Sequence, residues 1–125
     1  MEAKLKSIIR NIPDFPKAGI NFKDITPLFQ KADVVEEMVN ELAKEWQGKG
    51  IEAVIGIESR GFLLGPVLAV KLNVPFIPVR KKGKLPADTV EFSYDLEYGS
   101  AIIEMHKDAI QSGQKVLIHD DLLAT

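Results

Sequence analysis

Cysteine is absent from this chain. A disulfide scaffold, a thiolate nucleophile and a Cys-ligated zinc site are excluded with it. An excess of positive charge is also missing. Sixteen Lys and Arg stand against 18 Asp and Glu, for a net charge of -2, so the chain lacks the basic face with which proteins coat nucleic acid. Long apolar runs are missing too: stretches such as Ala53–Ile57 fall far short of the roughly 18 residues that cross a bilayer. The opening Met1–Lys6 has no apolar signal-peptide core. No repeat and no low-complexity segment is visible. The expectation is a cytoplasmic protein with neither a membrane nor a nucleic-acid partner.

What is present is ordinary globular composition, 46% hydrophobic and 27% charged, which excludes disorder as the main state. At 125 residues the chain suits one domain with a core of its own. Leu5, Ile8 and Ile9 predict a short helix over 2–10. Two prolines make Ile12–Gly19 a turn-rich arm, followed by an extended piece over Ile20–Ile25 that ends at Thr26-Pro27. Val34, Val35, Met38, Val39, Leu42 and Trp46 recur at helical spacing and predict a helix over 33–47. Asp33 is read as its cap, Gly48 and Gly50 as its end, and Trp46 as core.

Ala53–Ile57 is a continuous apolar run, the mark of a strand buried on both faces. A polar loop, Glu58-Ser-Arg-Gly61, leads into a helical pattern over 62–72, in which Pro66 predicts a kink or a loose start. Val74–Val79 is a second buried strand and Lys115–His119 a third. Segments 89–96 and 100–106 alternate with period two around Glu97-Tyr-Gly99, which predicts a hairpin. Strands of parallel character alternating with helices place the chain in the α/β class.

Ligands of open parallel sheets bind at the carboxyl ends of the strands. Those ends carry Glu58-Ser59-Arg60, then Arg80-Lys81-Lys82, then Asp120-Asp121, a set suited to a substrate bearing phosphates and hydroxyls. Adjacent carboxylates can accept hydrogen bonds from a vicinal diol or approach Mg²⁺ through water. They serve equally well as the cap of a following helix, and spacing does not separate the two roles. Ala124 and Thr125 can begin a phosphate-cradling turn. Arg80 to Lys84, Glu97 and Tyr98, taken alone, read as solvated surface. His106 and His119 have no metal-binding spacing and read as structural.

Leu117-Ile-His-Asp-Asp-Leu-Leu-Ala-Thr125 resembles the phosphoribosyl-pyrophosphate motif of the type I phosphoribosyltransferase family. Pro13–Pro27, Glu58–Leu64, Val79–Pro86 and Tyr94–Gly99 resemble the family's adenine-specific branch, in the same order and spacing over nearly the whole chain. The resemblance implies a parallel sheet flanked by helices in a single domain. Its parts would be a base-binding arm over 1–30, a core over 31–79, a flexible hairpin lid over 80–106, and a core strand with the donor motif over 107–125. It also implies purine salvage: adenine N9 displaces pyrophosphate from phosphoribosyl pyrophosphate to give AMP, with Mg²⁺, in a homodimer.

By the same resemblance, Asp120 and Asp121 bind the ribose and touch the metal through water. Ala124 and Thr125 begin the 5′-phosphate loop. Ser59 and Arg60 form the pyrophosphate loop, where a non-proline cis peptide is expected at Glu58–Ser59, and Arg60 counts among the catalytic groups. Arg80 meets the pyrophosphate, with Lys81, Lys82 and Lys84 at the start of the lid. Glu97 is the acid/base at the purine N7, and Tyr98 stacks on lid closure. Ile20, Asn21, Phe22 and Lys23 face adenine, with Leu122 as a further wall.

Departures from the pattern are Lys23 for a common arginine, Asn21 for a frequent apolar residue, and His119 in a usually apolar place. The family continues past this motif with a Gly-Gly-Thr turn, a helix and more strands. The expectation is therefore an incomplete chain, of little activity alone. The alternatives are a hypoxanthine- or xanthine-type transferase and a non-catalytic nucleotide-binding regulator of the same fold.

Overall fold

A computed structural model describes residues 1–96 and 98–122. It divides into two compact units, Met1–Asn40 and Glu41–Thr125.

The N-terminal unit begins with α1 (Glu2–Ile8). Strands β1 (Arg10–Ile12) and β2 (Phe22–Asp24) form an antiparallel pair with Arg10 opposite Asp24 and Ile12 opposite Phe22. The end of the predicted helix over 2–10 is thus strand. The arm between β1 and β2 folds on itself: Asp14 Oδ1 accepts from the Gly19 N–H at 2.9 Å, and Phe15 N–H donates to the Ile20 carbonyl at 3.1 Å. Phe15 and Phe22 meet edge to face, ring centres 5.1 Å apart.

Thr26-Pro27, read as a terminator, instead starts α2 (Thr26–Phe29). A proline in a first helical turn sacrifices no hydrogen bond, because that N–H has no partner inside the helix. Asp24 steadies the start, accepting from both the N–H (3.0 Å) and the hydroxyl (2.7 Å) of Thr26. These bonds, the hydroxyl first, hold its carboxyl below the ordinary range.

Helix α3 (Ala32–Trp46) runs from the first unit into the second. Asp33 lies within its first turn rather than at the cap, where its charge still complements the helix dipole. Val34, Met38, Val39 and Ala43 are its buried residues. Trp46 is half-buried at the end, with Lys49 Nζ 5.0 Å over its ring, rather than in the core.

The second unit is built on β3 (Ala53–Ile57), α4 (Gly61–Leu72), β4 (Phe76–Lys81), β5 (Thr89–Asp95), β6 (Ser100–His106) and β7 (Val116–His119). One five-stranded sheet runs in the order β5-β6-β4-β3-β7. Strand β3 pairs in parallel with β4 on one side and β7 on the other, while the β5–β6 hairpin adds antiparallel strands. The sheet is therefore mixed, with its parallel part at the centre.

Alternation along β3 sorts the core into two layers. Val54 lies with Ala43, Leu68 and Ala69 on the helix side, and Leu42, Phe76 and Leu117 join them. Ala53, Ile55 and Ile77 lie on the other side with Val79, Met105, Ala109, Ile110 and Val116. Two covered faces explain the unbroken apolar run of β3.

Close approach of α4 to the sheet requires Gly56: a Cβ there would stand 2.6 Å from the Phe76 ring and 2.7 Å from the Gly61 carbonyl oxygen. Helix α4 is continuous through Pro66 and closes at Asn73, whose left-handed backbone (φ 58°) ends the helix. Pro78 lies in β4 before its pairing with β6, which covers Arg80 and Lys81, so its missing donor leaves that pairing intact.

Candidate functional site

The parallel register decides where the polar loops go. Ile57 pairs with Val79 and Gly56 with His119, so Glu58 just after β3, Asp120 just after β7 and Arg80 near the end of β4 lie along one edge, the carboxyl edge. Glu58 N–H extends the ladder by donating to the Val79 carbonyl at 2.8 Å. The Glu58–Ser59 peptide is cis. The loop enters α4 within two further residues, so the positive end of the helix dipole belongs to the same edge.

Two ion pairs link the loops. Arg60 Nε lies 3.1 Å from Asp121 Oδ2, and Arg80 Nε lies 2.7 Å from Glu58 Oε1. The carboxylates are the sheltered partners, 13% and 12% exposed, against 42% and 35% for the arginines. The arginines are thus the more solvent-facing partners of the two pairs. Arg80 Nη1 also donates to the Lys84 carbonyl at 3.5 Å. The sequence reading passed over Glu58 as a site residue. Its signal was available: an acidic residue directly after a buried strand, one strand away from an arginine in the equivalent place.

Asp120 and Asp121 are joined through the backbone, Oδ1 of Asp120 accepting from the Asp121 N–H at 2.8 Å. Burial is the largest influence on Asp121 and raises its carboxyl above the ordinary range; Asp120 adds to this and the Arg60 charge opposes it. Burial lowers His119 below the ordinary imidazole range, against the pull of both aspartates, which keeps it neutral at pH 7. Its backbone has a further part: its carbonyl oxygen would lie 2.9 Å from any Cβ at position 61, so Gly61 admits β7 close to the start of α4. His106 is structural, its Nε2 2.8 Å from the Pro86 carbonyl.

Lys81 ends β4 opposite Ile103, and Lys82 lies 3.6 Å from Glu91. The hairpin runs in register from Thr89–His106 to Asp95–Ser100. Tyr98, at its tip, is 86% exposed, and Leu122 is also exposed. Glu97, Ala124 and Thr125 lie outside the described residues. In the N-terminal unit, Ile20 and Asn21 are exposed, Phe22 is half-buried, and Lys23 Nζ donates to Asn11 Oδ1. Among the described residues no three His, Asp or Glu side chains gather as a metal cage, and no helix is long and apolar enough to cross a membrane.

The carboxyl edge thus offers two arginines, two adjacent carboxylates and a helix start. Such a set binds an anion beside a polyhydroxyl group.

Comparison with known proteins agrees with this chemistry. Residues 23–125 match the model of the phosphoribosyl transferase domain. Adenine phosphoribosyltransferase of Acidobacterium capsulatum is 54% identical over 121 residues, covering 97% of this chain and 67% of that protein. The crystal structure of adenine phosphoribosyltransferase from Thermoanaerobacter pseudethanolicus superposes with a TM-score of 0.94 at 50% identity, covering all of this chain and 73% of the other. The Saccharomyces cerevisiae enzyme, solved with an imino-altritol bisphosphate and adenine, gives a TM-score of 0.89 at 40% identity, covering 95% of this chain and 70% of that one.

Proposed function

The chain belongs to the adenine phosphoribosyltransferases of the phosphoribosyltransferase family, and we propose on that premise that it transfers the phosphoribosyl group of phosphoribosyl pyrophosphate to N9 of adenine, releasing pyrophosphate and giving AMP. The observation that carries the reading is the shared carboxyl edge, where Arg60, Arg80 and the Asp120–Asp121 pair lie at the ends of three neighbouring strands. The adenine and bisphosphate bound by the yeast relative agree with it.

In this reading Arg80, with Ser59 and Arg60, meets the pyrophosphate. As the anomeric C–O bond lengthens, negative charge collects on the leaving group, and fixed cations lower the barrier. Lys81 and Lys84 add positive charge as the lid closes. Asp120 and Asp121 take the ribose hydroxyls, and Ala124 and Thr125 start the 5′-phosphate turn. Ile20, Asn21, Phe22, Lys23 and Leu122 contact the base. Glu97 holds or exchanges the proton at N7, and Tyr98 stacks beside it.

Asp120 and Asp121 would hold Mg²⁺ through water, and the ion would supply positive charge that steadies the leaving pyrophosphate. Oxygen donors suit it, and Mg²⁺ commonly takes only one or two carboxylates beside substrate phosphates. The reading includes one domain over 1–125 with the arm, core, lid and donor segments described above. It also includes a homodimer and a cytoplasmic location, both checkable, by light scattering and by cell fractionation.

The deciding assay incubates the intact protein with Mg²⁺, phosphoribosyl pyrophosphate and each purine base. Pyrophosphate release with adenine, and little with hypoxanthine or xanthine, is expected. Faster release with hypoxanthine would move the chain to the other purine acceptors, and no release with any base would leave a binding protein.

A further inference from the structure

Among the described residues the buried charged side chain is Glu104, 5% exposed, and it has no part in the reading above. It stands on β6 opposite Arg80 of β4. Its Oε1 accepts from the N–H of Gly83 at 3.1 Å and of Leu85 at 2.9 Å, and its Oε2 accepts from the Thr89 hydroxyl at 3.4 Å. A carboxylate taken out of water is costly unless it is hydrogen-bonded in this way. The amides, that of Leu85 foremost, hold it below the ordinary range, so it is ionised at neutral pH.

The Leu85 N–H belongs to the peptide whose carbonyl is that of Lys84. That carbonyl accepts from Arg80 Nη1. One planar peptide therefore has the Glu104 carboxylate at its N–H end and the Arg80 guanidinium at its C=O end. Negative charge at the N–H end polarises the group and makes its oxygen a better acceptor. Arg80 is gripped from the other side by Glu58 through Nε. Its fork is thus fixed at two edges, one of them through Glu104.

We propose that Glu104 is a positioning residue for Arg80: by pinning the Gly83–Leu85 turn it orients the Lys84 carbonyl, and through it the guanidinium that meets pyrophosphate. The inference rests on the function proposed above. A mere staple of the hairpin root would weaken the fold and depress turnover without distinguishing the substrates. A positioning residue distinguishes them.

The test compares wild type with Glu104→Ala, Glu104→Asp and Glu104→Gln in both directions of the reaction, alongside thermal melts. Glu104→Ala is expected to raise KM for pyrophosphate about tenfold, the scale of one misaligned charge-assisted contact. KM for adenine should stay within about twofold, well under that tenfold step. Glu104→Gln should recover most of the loss, since its amide oxygen still accepts from both N–H groups. In an Arg80→Ala background, Glu104→Ala should add little, because residues acting through one another are not additive.

Equal effects on both substrates, a Gln variant no better than Ala, or full additivity with Arg80→Ala would each overturn the proposal. If Glu104→Ala does not fold, Glu104→Asp carries the same comparison, since its shorter reach cannot serve both amides. A wild type that makes no AMP would sink the functional reading and this inference together. An active wild type whose variants leave pyrophosphate unaffected would sink the inference alone.

Discussion

The central parallel strands and the β5–β6 hairpin are held by different forces. Strand β3 is buried along almost its whole length, and Val54 and Leu68 are shut from solvent. Strand β5 is mostly exposed; its apolar residues Val90, Phe92 and Tyr94 are 46%, 67% and 41% accessible. The centre is held by apolar burial on two faces, and the root of the hairpin by a carboxylate and its hydrogen bonds. Groups that must hold still, the loops of the carboxyl edge, grow from the first. The segment that carries Glu97 and Tyr98 in the chain grows from the second.

Core truncation should break the contrast most visibly. Leu68→Ala, in the helix-side layer, should cost about 3 kcal/mol in denaturant unfolding. A loss under about 1 kcal/mol would mean the central layer is not the stability core. Arg80→Ala comes next: it should weaken pyrophosphate binding by about thirtyfold, near 2 kcal/mol, in calorimetric titration, and it should also lower the melting temperature, because it leaves the sheltered Glu58 carboxylate without its ion-pair partner. A pH titration sharpens the comparison further. The folded state holds Glu104 below its ordinary 4.5. Above that value the anchor is intact. As pH falls from there through the lower folded value, the unfolded chain takes up the proton first and stability is lost. Amide exchange at Gly83 and Leu85 should quicken over that interval before exchange in β3 does, and Glu104→Gln should flatten the dependence. The smallest effect belongs to Phe92→Ser on the outer hairpin strand, within about 0.5 kcal/mol.

The same difference governs what was legible in the sequence. Ala53–Ile57 could be read directly, because burial on both faces leaves an unbroken apolar run, and the parallel register then brought its loop to the edge shared by Arg80 and Asp120. The seven-residue strands of the hairpin showed as period-two alternation. Strand β1 was hidden: it is three residues long, and its partner β2 lies beyond the proline arm, so no local periodicity marks it. The start of α2 was misread because a proline signals both the end of one element and the first turn of another.

Glu104 was the least legible of all. On an alternating strand a glutamate reads as an outward polar position, and its burial depends on the turn at Gly83–Leu85, which only the tertiary fold brings over it. Glu58 was quoted within a motif, yet its role shows only when register puts it against Arg80. Charge partners across strands are set by register, which single-strand patterns do not encode.

The most direct test of the central division, binding on the carboxyl edge and proton handling on the hairpin, is a paired measurement of donor affinity and turnover. The Asp120→Asn, Asp121→Asn double variant should lose affinity for phosphoribosyl pyrophosphate by calorimetry. Glu97→Gln should bind that donor nearly as wild type does while its rate of AMP formation falls. A Glu97→Gln protein that turns over normally, or that loses donor affinity as deeply as the double variant, would contradict the division.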